Sequence, residues 1–375
     1  MSRPTWAEVS LSALRHNFRV IQDHVGAGVT VCAVIKADAY GHGLVDCARA
    51  LEAESARWFG VTSTEEGVRL REGGIRERIL LMTGFWHGEE DDVIRYNLTP
   101  AIWESWHIEG LQFSAQKLRS KEQPVAVHLK IDTGMSRLGA PLADLAQLAA
   151  VLRRSPQLSV EGIFTHLASA ELLDAGSAGD QLSAFEKATA KLRELGIHPQ
   201  YQHIANSAAL AARPESWKNF VRPGISLYGY FLRFVPGRTA GLPVKPVLSW
   251  KTRIISLRDV GAAQPIGYGG AYITQAPARI AALPVGYGDG LSRQLSSRGR
   301  VIVHERYAPM VGNVSMDITL IDVTKVSVAV GDEVTIIGGS REHCITASEH
   351  ASLARTIPYE VLCNISKRVP RMYVE

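Results

Sequence analysis

Apolar, β-branched runs recur through the first two thirds of the chain, at 29–36, 58–62, 78–83, 99–103, 125–132, 160–166, 201–205 and 221–228. Between them lie segments whose apolar residues return at helical spacing. In GDQLSAFEKATAKLRELG, Leu182, Phe185, Leu192 and Leu195 fall on one face, and Gly196 ends the helix. Similar segments occupy 42–54, 64–73, 104–119, 141–154 and 206–212, and the stretch 11–24 precedes the first strand. A β-α alternation of this kind predicts a parallel sheet. Eight strand candidates fit a closed (β/α)8 barrel. Spacing alone leaves an open doubly wound sheet as the alternative.

The last third changes character. FVPGRTAGLPVKPVLSW is rich in Gly and Pro and reads as a linker. Short strands follow in LSWKTRIISLRDV, ARIAALPVGYG, GRVIVHE, YAPMVGNVSMDITLIDV and GDEVTIIG, and a helical pattern returns only in ASEHASLARTI. The expected fold class is therefore α/β, a (β/α)8 barrel over 1–235 followed by a mainly β-strand domain over 236–375. The first residues are candidates to pair with the second domain. A length of 375 residues agrees with two domains.

Composition narrows the function classes. An apolar fraction of 46% with 21% charged residues suits a soluble globular protein with a substantial core. The net charge of +4 is small, and no basic block exceeds pairs such as Arg153–Arg154, so nucleic acid is not an expected partner. No stretch has the length and apolarity of a signal peptide core or a membrane helix. Cys32, Cys47, Cys344 and Cys363 form no CxxC, and no HExxH-type spacing occurs. Reduced cysteines, a cytoplasmic location and no metal are expected.

The candidate chemistry begins at AVIKADAYGHG, residues 33–43, where Lys36 ends a fully apolar run. An arbitrary strand-end lysine packs its stem and snorkels its amine to water. The C-terminal end of a barrel strand is, however, where such folds build active sites. A desolvated lysine can keep a free amine, and a free amine condenses with an aldehyde to a Schiff base. Pyridoxal 5'-phosphate is such an aldehyde. It would need a phosphate cradle, a partner for its ring nitrogen and an anchor for a substrate carboxylate. After the seventh run, HIANSAAL offers Asn206 and Ser207 at a helix start, either as caps or as anion donors. After the eighth, VRPGISLYG offers Arg222 and Gly224. In HLKIDTGMSRLG, Arg137 is a fork suited to a carboxylate or to a surface acid.

With those segments in view, the chain resembles the alanine racemases. AVIKADAYGHG matches the family's cofactor-lysine signature, and KIDTGMSRLG, THLASA, NSAA, RPGISLYG, YGGAY, PVGYGDG, GNVSMD and IPYEV follow in family order. The resemblance covers nearly the whole chain and implies interconversion of L- and D-alanine, with D-alanine going to peptidoglycan.

The resemblance also implies roles. Lys36 would carry pyridoxal phosphate and act as one base. Tyr40, Ser207, the backbone of Gly224 and Ile225, and Tyr359 would hold the phosphate, with Asn206 beside them. Arg222 would face the ring nitrogen and His166 would orient Arg222. Arg137 would lie near the substrate carboxylate, with Lys130 a candidate for a carbamate that positions it. Tyr268 would be the second base, contributed by the other subunit of a homodimer. Tyr287, Met316 and Asp317, also from that subunit, would line the substrate pocket. From the residues alone, Tyr268 is a turn aromatic, His166 a strand-end core histidine and Met316 core filling.

Two bases on opposite faces suit racemisation, because one base cannot easily serve both faces of a fixed planar carbanion. An arginine at the ring nitrogen holds its own proton. It would leave the nitrogen unprotonated and so limit transamination. The nearest alternative is a racemase of the same fold acting on serine as well as alanine. A decarboxylase of this architecture would need a Cys/Asp pair whose context Cys344 and Cys363 lack. A non-catalytic cofactor-binding protein would resemble the barrel alone.

Overall fold

The computed structural model of the protein describes residues 3–118, 123–173, 176–235, 241–340 and 342–375. Part of the expected linker, 236–240, and the end of the expected helix 104–119 therefore lie outside the described residues. The chain divides into two compact units: Leu14–Ala39 with Leu44–Val244, and Met1–Ala13 with Tyr40–Gly43 and Lys245–Glu375.

After strand β1 (Thr5–Ser10) and a helix over Leu11–Val25, eight short strands build the first unit. They are β2 (Thr30–Val34), β3 (Trp58–Val61), β4 (Arg78–Leu81), β5 (Thr99–Ile102), β6 (Val125–Lys130), β7 (Leu158–Phe164), β8 (Tyr201–His203) and β9 (Phe220–Val221). All are parallel, in the order β8-β7-β6-β5-β4-β3-β2-β9. Every residue of β3 and β5 is buried, which is why these strands read as unbroken apolar runs rather than as alternation. Between β8 and β9 no ladder forms among the described residues. The Arg222 N–H reaches the Ala205 carbonyl at 3.0 Å, and the Asn219 side chain accepts from Gln202 N–H and donates to the Gln200 carbonyl. The sheet is thus a near-closed barrel.

Two departures from expectation have plain causes. The eighth run, 221–228, is a strand only at its start, because Pro223 lacks an N–H for a ladder and Ile225–Tyr228 turn into a 3-10 helix. A helix over Glu90–Arg95 joins β4 to β5 without a periodic signal. Its six residues carry three acids in the first turn, which suits a helix N-terminus.

The second unit is mainly β. Its strands are β10 (Leu248–Arg253), β11 (Ser256–Val260), β12 (Pro265–Ile266), β13 (Tyr272–Ile273), β14 (Ala278–Leu283), β15 (Arg300–Val303), β16 (Arg306–Pro309), β17 (Thr319–Asp322), β18 (Glu333–Gly339), β19 (Cys344–Ile345) and β20 (Arg371–Val374). The largest sheet runs β16-β15-β18-β10-β1-β20, with β19 on β18. β1 pairs antiparallel with β10 and parallel with β20. β11-β14-β17 make a second sheet, and β12-β13 a hairpin.

Candidate active site

Lys36 stands one residue, Ile35, beyond the end of β2, and its side chain is half-buried. The next residues form a strained turn rather than an ordinary loop. Ala37, Asp38, Ala39 and Tyr40 all lie near φ +50°, and Gly41 continues at +82°. This is a left-handed helical turn built mostly from L-residues with side chains, each costing about 1–2 kcal/mol. The turn closes through Ala39 N–H on the Ile35 carbonyl at 2.8 Å. Asp38 anchors it, accepting from Leu44 N–H and Arg69, while its own N–H donates to Glu66. Such strain persists only where the surroundings over-determine it, as at functional sites. In the second unit, Gly41 and Gly43 serve close packing. A Cβ on Gly41 would stand 2.5 Å from the Leu362 carbonyl oxygen, and one on Gly43 would stand 1.9 Å from the Tyr373 hydroxyl.

Around the C-terminal ends of the barrel strands, positive charge accumulates. Burial, then Arg222, Arg137 and Lys36, pull the Lys130 amine down to about 7. Lys130 Nζ donates to the Met82 carbonyl at 3.1 Å. Burial and the same cations, with Lys130 added, hold His166 well below its ordinary value, so it is neutral. The acid opposing them at Lys130 is Asp132. Its Oδ1 is already occupied by the N–H groups of Gly134, Met135 and Ser136. That loop presents Arg137 exposed, with no hydrogen bond to another described residue.

Arg222 is fully buried and pulled down to about 10 by burial, which still leaves it cationic at neutral pH. It donates to His203 Nδ1 at 2.8 Å, to the Thr165 and Ile204 carbonyls at 2.7 and 3.1 Å, and to His166 Nδ1 at 3.3 Å. Next to it, Asn206 caps the helix Ser207–Ala212 by accepting from Ala208 and Ala209 N–H. Ser207 Oγ accepts from the N–H of Gly224 (2.8 Å) and Ser226 (3.3 Å) and from the Ser226 hydroxyl (3.0 Å). Its lone pairs are taken, so its own proton is left to donate. The buried N–H of Ile225 donates to no other described group, an unusual state for a buried donor.

The remaining candidates lie in the second unit. Tyr40 and Tyr359 stand with ring centroids 5.8 Å apart. Tyr268 tops the β12-β13 hairpin, 75% exposed, its carbonyl held by Asn313 at 3.0 Å. Tyr287 and Met316 are also exposed, and their loops are tied by backbone bonds, Tyr287 N–H to Ser315 and Gly288 N–H to Met316. Buried Asp289 accepts from Gly286 N–H and from both Nη of Arg3, and Arg368 holds Asp317 at 2.6 Å.

The chain matches the family model for the alanine racemase N-terminal domain over residues 9–231 and that for the C-terminal domain over 247–373. It is 42% identical to the alanine racemase of Geobacter sulfurreducens, covering all of this chain and 98% of the relative. The fold matches an alanine racemase of Clostridium difficile 630 with a TM-score of 0.94, at 33% identity over all of this chain and 97% of the other. It matches the Bartonella henselae alanine racemase with covalently bound pyridoxal phosphate at 0.87, 30% identical over 99% of both.

The chain belongs to the alanine racemase family.

For a member of the alanine racemase family, the first unit collects Lys36, Lys130, Arg137, His166 and Arg222 in one electrostatic neighbourhood, with Ser207, Gly224 and Ile225 in a second cluster reached through Arg222's own strand end. The alanine racemase motifs GNVSMD and PVGYGDG prove to be mutually bonded loops. Residues that sequence reasoning missed are His203 and Ser226, which contact Arg222 and Ser207, and Asn313, Asp289 and Arg3, which hold the loops of Tyr268, Tyr287 and Met316. Ser226, Asp289 and Asn313 lie inside RPGISLYG, PVGYGDG and GNVSMD, and His203 opens HIANSAAL, but no role attached to them there; Arg3 lies in no motif.

Proposed function

We propose that this chain interconverts L- and D-alanine with pyridoxal 5'-phosphate, as a cytoplasmic homodimer with shared active sites. Its D-alanine would serve peptidoglycan. The barrel domain, 1–235, is assigned the cofactor, and the β-rich domain, 236–375, the second base.

The observation that carries this reading is the gathering of basic groups. Lys36, Lys130, Arg137 and Arg222 act together on His166. Like charges so gathered call for an anionic ligand. The hydroxyl proton of Ser207 and the unspent N–H of Ile225 are donors of the kind a phosphate takes. The residues present therefore fit an anionic, phosphate-bearing cofactor.

When bound, that cofactor supplies an electron sink for the electrons released at the substrate Cα. The chain's residues supply the rest. Lys36 holds the cofactor through its amine, and its Nζ moves a proton on one face of Cα. Tyr268 Oη moves a proton on the opposite face. Ser207, Gly224 and Ile225 hold the phosphate, Asn206 by capping the helix that Ser207 begins, and Tyr40 and Tyr359 donate their phenols to it. Arg222 donates to the ring nitrogen, and neutral His166 accepts from Arg222. Arg137 binds the substrate carboxylate, positioned by a carbamate on Lys130. Tyr287, Met316 and Asp317 line the pocket from the other subunit.

Chiral product analysis with L-alanine and L-serine tests the reading. Wild type should yield D-alanine, Lys36→Ala none, and Tyr268→Phe about 10²–10⁴-fold less. Mixing the two inactive variants under subunit exchange should restore about a quarter of wild-type activity, since only the mixed dimer holds one intact site. No D-alanine from cofactor-loaded wild type would overturn the proposal, and no recovery on mixing would overturn the shared site. D-serine formed as fast as D-alanine would favour the broader racemase.

A further inference from the structure

Two histidines that no step above uses, His128 on β6 and His203 on β8, are wholly buried inside the barrel. Their hydrogen bonds fix where each proton sits. Arg222 Nη1 stands 2.8 Å from His203 Nδ1. A guanidinium only donates, so His203 Nδ1 accepts and the neutral ring carries its proton on Nε2. That Nε2 stands 2.8 Å from His128 Nδ1. His128 Nδ1 therefore accepts in turn, and its proton lies on Nε2. Beyond it, 3.8 Å away and too far for a hydrogen bond, is Glu161 Oε2. Arg78 grips that carboxylate with Nη1 at 2.7 Å and with Nη2, while its guanidinium lies 4.3 Å over the Trp58 ring.

The row is built into the sequence on both sides. Phe164 stacks on His203 at 4.6 Å, and the same ring lies 5.1 Å below the Arg222 guanidinium. Position 162 is Gly, and a Cβ there would come within 2.6 Å of two His128 ring atoms. Burial holds both imidazoles below their ordinary values and so keeps them neutral, as the assigned tautomers need. Arg222 spends Nη1 and Nη2 on His203, His166, Thr165 and Ile204, and Nε donates to no described residue.

We propose that His203 and His128 form a one-way hydrogen-bond row, with the Glu161–Arg78 pair facing its far end, that locks Arg222 with its Nε–H as the donor left for a ring nitrogen. His128 is then a positioning residue that acts on the site through two intervening side chains. The purpose served at the cofactor rests on the placement of Arg222 proposed above; the row itself does not.

The test has two parts. Nitrogen NMR of the full chain with labelled histidine, cofactor-free and loaded, should show Nδ1 unprotonated and Nε2 protonated on both rings, with His128→Asn and His203→Asn used for assignment. A proton on either Nδ1 overturns the row, whatever the enzyme does. In the loaded protein, His128→Leu leaves the His203 proton without an acceptor. It should lower kcat roughly five- to tenfold, with KM within about twofold. It should also shift the absorbance of the bound cofactor and raise the share of transamination. His128→Asn, whose Oδ1 can take the place of Nδ1, should restore the absorbance and the partition. If Leu and Asn variants share wild-type spectrum and partition while losing thermal stability alike, His128 is only core filling and the proposal fails. If His128→Leu does not fold, an unrestored spectrum and partition in His128→Asn decide against it. A wild type that binds no cofactor would defeat the functional reading instead, and the NMR result would stand apart from it.

Discussion

The amine of Lys130 sits at about 7, held there by burial first and by Arg222, Arg137 and Lys36 after it. At neutral pH a large share of it is therefore unprotonated and nucleophilic. Attack of that nitrogen on carbon dioxide forms an N–C bond, releases a proton and places an anion among the cations. We predict that labelled bicarbonate gives a carbamate carbon signal in the wild type, and none in Lys130→Ala. A wild-type protein without that signal at neutral pH would exclude the modification. Single residues were legible in the sequence where a strand end placed them. Lys36 ends a predicted strand, Arg137 and Ser207 follow one, and Arg222 lies at the start of the run 221–228. His203 and Asn313 were not legible, because each acts through a contact across 19 or 45 positions, and a histidine or asparagine carries no trace of its distant partner.

Among the elements, the left-handed turn after β2 is the least expected. Its strained backbone is carried by Ala37, Asp38, Ala39 and Tyr40, ahead of the glycines at 41 and 43. Ala37 is exposed, so its substitutions report on backbone rather than packing. A β-branched residue there should cost about 1–2 kcal/mol more than Ala. Glycine should leave stability level with wild type or above it, since its ease at positive φ is offset by its freedom when unfolded. Urea midpoints should therefore run Ala37→Gly at or above wild type, and wild type above Ala37→Val. A Val variant as stable as wild type would remove the strain. The eight strands were visible because strands buried on both faces must be apolar throughout. The helix Glu90–Arg95 was not visible, because six residues give too few turns for a period to emerge.

Over the whole molecule, titration follows the buried imidazoles. Burial brings His107 and His350 to about 4 and places His128, His166 and His203 lower than usual. In the unfolded chain these groups take up protons near pH 6.5. The folded protein refuses them, so the unfolded state binds more protons as pH falls. The stability these neutral imidazoles contribute is fully present above about pH 6.5. It is lost below that, at up to about 1.4 kcal/mol per pH unit for each imidazole. Glu161 extends the loss. Burial raises it, but the neighbouring His128 and the two bonds to Arg78 prevail and bring it to about 2, so its contribution disappears between about pH 4.5 and 2. Urea midpoints should be level from pH 8 to 7 and fall steadily from 6.5 to 4. A midpoint unchanged down to pH 5 would contradict the neutral imidazoles.

The sequence by itself determined the alternation of strands and helices, the change to a β-rich last third, and the residues at the strand ends where chemistry collects. Those follow from local rules: apolar runs need burial, helices repeat every 3.6 residues, and Gly and Pro interrupt both. Only the tertiary structure decided the handedness of the turn after Lys36, the gathering of four basic side chains around one imidazole, and the direction of the hydrogen-bond row from Arg222 to His128. Each depends on which groups meet across the barrel, and through-space electrostatics and hydrogen-bond direction are set by distances that no local pattern records.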